Sequence, residues 1–257
     1  MRNLLAILTK ELKSLFVSPI AYVVLAVFYG VSGYFFYIIL SFYAQQSSMN
    51  QFGQAPYPMD VPTMVVGSYF GVLSTILLFL LPMVTMGIFA EERKRGTIEL
   101  LLTSPITHLQ LILGKFLGVI LFLAIMLLPA ILKVLLLYTY SDPQPAVSPY
   151  LIGILGAFLL GGSLIAVGVF ISSLTENQIV AAAATFGVFI ILWVLDASAD
   201  GTTTVVNEVL RYLSVLNHYE DFTKGVFDTQ HLVFYLSFVF LGLFLTSLSL
   251  DSEKWRK

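Results

Sequence analysis

The sequence predicts an all-α integral membrane fold: six transmembrane helices behind a short interfacial helix, with both ends in the cytoplasm. Three observations carry this. The 257 residues are 58% hydrophobic and only 11% charged, with a mean hydropathy of +0.91. A soluble domain is nearer half apolar and a quarter charged. The apolar residues fall in runs of about 20, the length a bilayer core requires. Finally, Lys and Arg crowd onto alternate connections, as the positive-inside rule demands.

The elements follow in chain order. Residues 2–17 form an amphipathic helix. Leu4, Leu5, Leu8, Leu12, Leu15 and Phe16 recur at three- and four-residue spacing, and Arg2, Lys10, Glu11 and Lys13 lie off that stripe. Such a helix lies in the interface plane. The apolar run 4–8 is too short for the core of a cleavable signal peptide. Ser18-Pro19 breaks the helix, and proline suits the first turn of the next. The first span covers 19–43, and a polar stretch 44–60 follows. The second span covers 61–89 and ends in charge. The third covers 108–138, with Thr107 and Gln110 set as a capping box. A loop at 139–148 leads to Ser148-Pro149, a cap and a first-turn proline for the fourth span, 149–174. A polar turn, Thr175-Glu176-Asn177-Gln178, precedes the fifth, 179–195. Within 196–230, Val206, Val209, Leu210, Leu213 and Leu216 make a helical stripe too short and polar to span. We expect an outer helix packed as a lid, with Gly225 turning the chain back. The sixth span covers 231–250, and a charged tail closes the chain.

Ten of the thirteen Lys and Arg residues lie on the side of the two ends and the loop after span two. Arg211 and Lys224 fall on the other. Lys133 sits 18 positions after Lys115, roughly 27 Å along a helix, from where it can snorkel to the outer interface. The net charge of −2 gives no basic field for nucleic acid.

No catalytic constellation is present in the sequence. There is no HExxH and no Cys, and His108, His218 and His231 are scattered over loop ends. Gly156 to Ser163 mimics the spacing of a phosphate loop but lacks its Lys and lies inside a span. The chain is expected to bind no cofactor of its own. Ionisable residues are nearly absent from the spans, which argues against a proton- or sodium-coupled carrier. Several small pairs, Gly67/Gly71, Gly114/Gly118 and Gly162/Ala166, have helix-packing spacing and read first as packing within the chain; a homodimer contact is the sharper alternative.

The densest signal is Glu91-Glu92-Arg93-Lys94-Arg95-Gly96-Thr97-Ile98-Glu99-Leu100-Leu101-Leu102-Thr103-Ser104-Pro105. It is a cytoplasmic excursion between two spans. Gly96 or Thr97 can start a short helix that Pro105 limits. Ile98, Leu101 and Leu102 share one face, and Glu99 lies on another. Such a helix can seat in a partner's groove; the plainer reading is a positive-inside anchor.

This segment resembles the signature of type-2 ABC exporter permeases, E-x-[RK]-x-G-T-x-[ED]-x-L-L-x-[ST]-P, and the resemblance extends to the whole six-span layout. It implies a single permease domain over 1–257, with 2–17 as an elbow helix and 91–107 as a cytoplasmic coupling helix. Glu91, Glu92, Arg93, Arg95, Gly96, Thr97, Ile98, Glu99, Leu101 and Leu102 would then contact a separate ABC ATPase, which binds ATP and Mg. A second permease copy or a related permease completes the assembly in a bacterial inner membrane. Residues 213–225, with Phe222 and Gly225, look like the subgroup associated with gliding motility. The rival reading is a non-transporting anchor that recruits an ATPase to an envelope or motility machine.

Overall fold

The computed structural model describes residues 2–51, 61–98, 106–140, 147–198 and 214–254. Among them every regular element is a helix: α1 (Arg2–Val17), α2 (Pro19–Gln51), α3 (Val61–Thr85), α4 (Ala90–Lys94), α5 (His108–Tyr140), α6 (Ser148–Ser173), α7 (Gln178–Ser198), α8 (Val215–Thr223) and α9 (Thr229–Lys254). The five helices α2, α3, α5, α6 and α9 carry windows long and apolar enough to cross a membrane, and α7 adds a shorter apolar stretch, Gln178–Val194.

Local chemistry sets the boundaries. The Ser18 hydroxyl accepts from the Ile20 amide at 3.3 Å, capping α2 with Pro19 in its first turn. The Thr107 hydroxyl accepts from the Gln110 amide and the Gln110 side chain accepts from the Thr107 amide, at 3.3 and 3.4 Å, so the capping box forms. Asn177 and Asp228 cap α7 and α9 by accepting from Ile179 and Gln230. Three boundaries differ from expectation. Helix α2 continues through Gln51, because Ala44, Gln45, Gln46, Met49 and Gln51 are good helix formers that outweigh the interspersed Ser and Asn once the chain has left the apolar layer. Ser148 is already helical, and Val147 occupies the cap position. Helix α9 runs on into the charged tail as far as Lys254.

Helix α6 is the hub, packing against α3, α5, α7, α8 and α9. Small residues let it do so. A side chain on Gly161 would strike Leu123 of α5, and one on Gly153 would strike Phe70 of α3. Gly242 of α9 rests against Ala166. The small pairs thus mostly serve packing within the chain, although Gly71 has nothing near it. Helix α1 lies along α5, seated on Gly114 and Gly118 through Ile7 and Glu11. Its buried stripe departs from the sequence reading. Leu5 is 59% exposed, while Glu11, expected to face water, is the most buried of the described side chains of α1. Lys133 also differs. It reaches inward to Ser32 of α2 and Tyr69 of α3 rather than outward.

Candidate functional site

At the end of the bundle that carries α1, span two breaks. Helix α3 stops at Thr85, and residues 86–89 turn before α4 begins. The break is held by α6. The Ser172 hydroxyl donates to the Met86 carbonyl at 2.9 Å and accepts from the amides of Phe89 and Ala90 at 3.1 Å each. One hydroxyl thereby uses its donor and both acceptor sites.

Helix α4 has only five residues. Glu91 and Glu92 stand in its first turn and Arg93 and Lys94 in its last, each sign at the favourable dipole end. Arg95 pairs with Glu91 on the exposed side. Gly96, at φ +66°, ends the helix in a Schellman motif. The Thr97 amide donates to the Glu92 carbonyl and the Gly96 amide to that of Arg93, both at 3.0 Å. Gly96 thus ends α4, and helix resumes at Ile98, directly after Thr97, where the sequence placed a helix start. Ile98, expected in a partner's groove, is 6% exposed and belongs to the chain's own core. Glu99, Leu101 and Leu102 lie outside the described residues.

A buried ion cluster ties this segment down. Lys115, 2% exposed, contacts Glu11 Oε2 and Glu92 Oε1 at 3.0 Å each and the Ile88 carbonyl at 2.7 Å. Two of these contacts, to Glu11 and Ile88, are hydrogen bonds, the Glu92 contact is an ion pair, and the charge lies 5.2 Å from the Phe89 ring centroid. Lys10 adds an exposed contact to Glu92 at 3.4 Å. One lysine of α5 therefore joins α1, α4 and the break. Around it opens a polar cleft lined by Lys10, Ser14, Glu91, Arg95 and Thr97. In the sequence Lys115 reads only as one of the ten cations on its side of the membrane, and its partner Glu11 lies 104 positions away. The available signal was Glu11 falling four residues after Ile7 and before Leu15, on the buried face.

At the opposite end, α8 is wedged among α3, α6, α7 and α9. The Ser214 hydroxyl caps it by accepting from the Asn217 amide at 3.1 Å. Val215, His218, Tyr219, Phe222 and Thr223 are buried. Phe222 sits where a side chain on Gly156 would be, and the Thr223 carbonyl lies over Gly67. The Tyr219 hydroxyl donates to the Phe70 carbonyl at 3.0 Å and that of Tyr235 to the Val215 carbonyl at 2.7 Å. Burial, with Tyr69 nearby, pushes the Tyr219 phenol up, so it stays a neutral donor. A second Schellman motif closes the helix at Gly225, φ +77°. A Cβ there would fall 2.7 Å from that of Pro149. Of the residues expected here, Leu216 is half-buried against the core, Phe222 is fully buried and Gly225 makes the turn. Leu210 and Leu213 lie outside the described residues. Two of the three histidines come together, His218 Nδ1 meeting His231 Nδ1 at 2.6 Å and His231 Nε2 donating to Asp221 at 2.8 Å, while His108 stands apart at the start of α5.

A family model described as ABC-2 family transporter protein matches residues 5–249. The chain belongs to the ABC-2 transporter family. No curated protein matches it. The match spans α1 to α9, so this ABC-2 protein is the multi-pass membrane component, the permease subunit, of an ABC transporter. That role associates it with an ABC ATPase and makes it a transport component rather than an enzyme in its own right.

Proposed function

We propose that this permease belongs to an exporter driven by a separate ATPase chain, with the α1 end of the bundle and both termini in the cytoplasm. Helix α4 and the residues that follow it dock on the ATPase. Helix α1 is the elbow that moves with them, and a second copy or a related permease completes the pathway. Helix α8 covers the opposite mouth as a lid. Closure of the ATPases on ATP rocks the bundle between two accessible states. The observation that carries this reading is the Lys115 cluster. It joins α1, α4 and α5 through buried charge, so a push on any of them reaches the others. The likeness of residues 213–225 to the gliding-associated subgroup makes an envelope cargo the natural extension.

Because Ile98 is spent inside the chain, the apolar anchor for the ATPase falls to Leu101 and Leu102. Burying each contributes about 1.5–3 kcal/mol, whereas an exposed ion pair at the rim adds at most about 1 kcal/mol. Leu101→Asp should therefore release the ATPase or uncouple hydrolysis from transport, and Glu99→Gln should do markedly less. Co-purification of the ATPase with each variant, after a check of membrane insertion, is the test. Full retention and normal coupled transport with Leu101→Asp would reduce the segment to a positive-inside anchor and leave its docking role resting on the resemblance alone.

A further inference from the structure

Helix α5 carries two lysines with opposite fates. Lys115 stands seven residues after His108, and Lys133 stands seven before Tyr140. They are 18 residues apart, about 27 Å along the axis, close to the roughly 30 Å of a bilayer's hydrocarbon core. Both therefore sit at a boundary between acyl chains and headgroups. Lys115 is closed in by two carboxylates. Lys133 has no carboxylate partner among the described residues. It donates to the Ser32 hydroxyl at 2.8 Å and the Tyr69 hydroxyl at 3.1 Å, and its charge lies 5.1 Å from the Tyr69 ring centroid. Its third ammonium proton finds no acceptor among the described residues.

Ser32 and Tyr69 are buried, at 0% and 1% exposure, and Lys133 is half-buried over them. The cation is thus held in place by two hydroxyls and an aromatic face, and among the described residues nothing caps its remaining side. A charge at membrane depth is costly unless it is paired, and an unpaired one marks a binding position or a pathway. Hydroxyls and a ring face spread the charge but do not neutralise it. We infer that Lys133, Ser32 and Tyr69 form an oxyanion site at the bilayer boundary opposite α1, and that it takes the phosphate of an anionic lipid or lipid-linked molecule. The depth selects a phosphate carried by a lipid, since that is where headgroup phosphates lie. The ammonium supplies the charge, and the two hydroxyls fix its direction by accepting two of its protons. The third is left for the ligand.

This inference does not depend on the coupling reading, because it is measured without an ATPase or ATP. The full chain is reconstituted in nanodiscs of phosphatidylcholine with or without phosphatidylglycerol. Acylation of Lys133 by an amine reagent is followed by peptide mass spectrometry, with exposed Lys10 as the internal control. Phosphatidylglycerol should slow acylation of Lys133 several-fold and leave Lys10 unchanged. Inorganic phosphate added to the phosphatidylcholine discs should not protect; protection by it alone would overturn the lipid assignment. Equal acylation in all three conditions would overturn the site. As a second measurement, native mass spectrometry should show one retained phosphatidylglycerol lost in Lys133→Met and kept in Lys133→Arg. Equal retention by all three proteins would sink the proposal even where Lys133→Met proves less stable.

Discussion

Lys115 shows how unevenly charge contributes at the residue scale. Its side chain is 3% exposed, and those of Glu11 and Glu92 are 10% and 13%. Replacing Lys115 with Met removes the cation and leaves two carboxylates facing each other out of water. Breaking a buried pair in this way costs about 3–5 kcal/mol. The triple variant Lys115→Met, Glu11→Leu, Glu92→Met replaces every charge with apolar volume and should regain most of that loss. Lys10→Ala should change little, because its side chain is 62% exposed. Thermal unfolding in detergent checks all three. A Lys115→Met protein as stable as the parent would show that the cluster holds nothing together. Glu11 also marks where the sequence stopped being legible. A charge beside a leucine stripe reads as solvent-facing because hydropathy is local, whereas its partner is supplied by a helix 104 positions on. Lys133 was misread for the same reason, since Ser32 and Tyr69 are recruited from two other helices.

At the element scale, the helix starts were readable because they are made by neighbours. Thr107 with Gln110 and Ser18 before Pro19 are caps written within a few residues. The helix ends were harder. Gly96 and Gly225 both end helices by adopting positive φ; Gly225 read from the sequence as a turn, whereas Gly96, between a charged run and an apolar one, read as a helix start. The two glycines separate backbone cost from packing cost. Nothing lies within 4 Å of a Cβ on Gly96, so Gly96→Ala should lose only about 1–2 kcal/mol for the left-handed conformation. Gly225→Ala adds a collision with Pro149 and should loosen α8 from the start of α6. Hydrogen exchange over residues 214–227 should rise clearly in Gly225→Ala, while Gly96→Ala leaves that region as it was. Equal exchange in the two variants would mean that Pro149 gives way freely. If α8 acts as a lid, Gly225→Ala should also impair transport more than Gly96→Ala.

At the scale of the whole molecule, six apolar segments and their order were legible because bilayer thickness imposes a length that any sequence must meet. The packing order was not. That α6 stands at the centre, with α2 and α9 more open, follows from where glycines meet bulky side chains of other helices, and pairwise fit leaves no periodic trace. Orientation is the remaining whole-molecule prediction. Single cysteines at Ser47 and Thr103, in a chain that has none of its own, should differ with an impermeant thiol reagent on intact cells: Ser47 labelled, Thr103 protected. Labelling only at Thr103 would invert the topology.

The Ser172 contact bears on how such permeases could be re-engineered. Span two does not deliver the segment that follows it as a rigid extension; the amides at the break are held by span four. The segment proposed to dock on the ATPase is accordingly not a cassette defined by contiguous sequence. Grafting residues 86–107 alone onto another permease would leave two amides facing an unmatched side chain and Glu92 without its lysine. The transplantable module is a discontinuous one, comprising α1, the break with α4, Lys115 and Ser172, and exchange of ATPase partners between related permeases should succeed only when those four travel together.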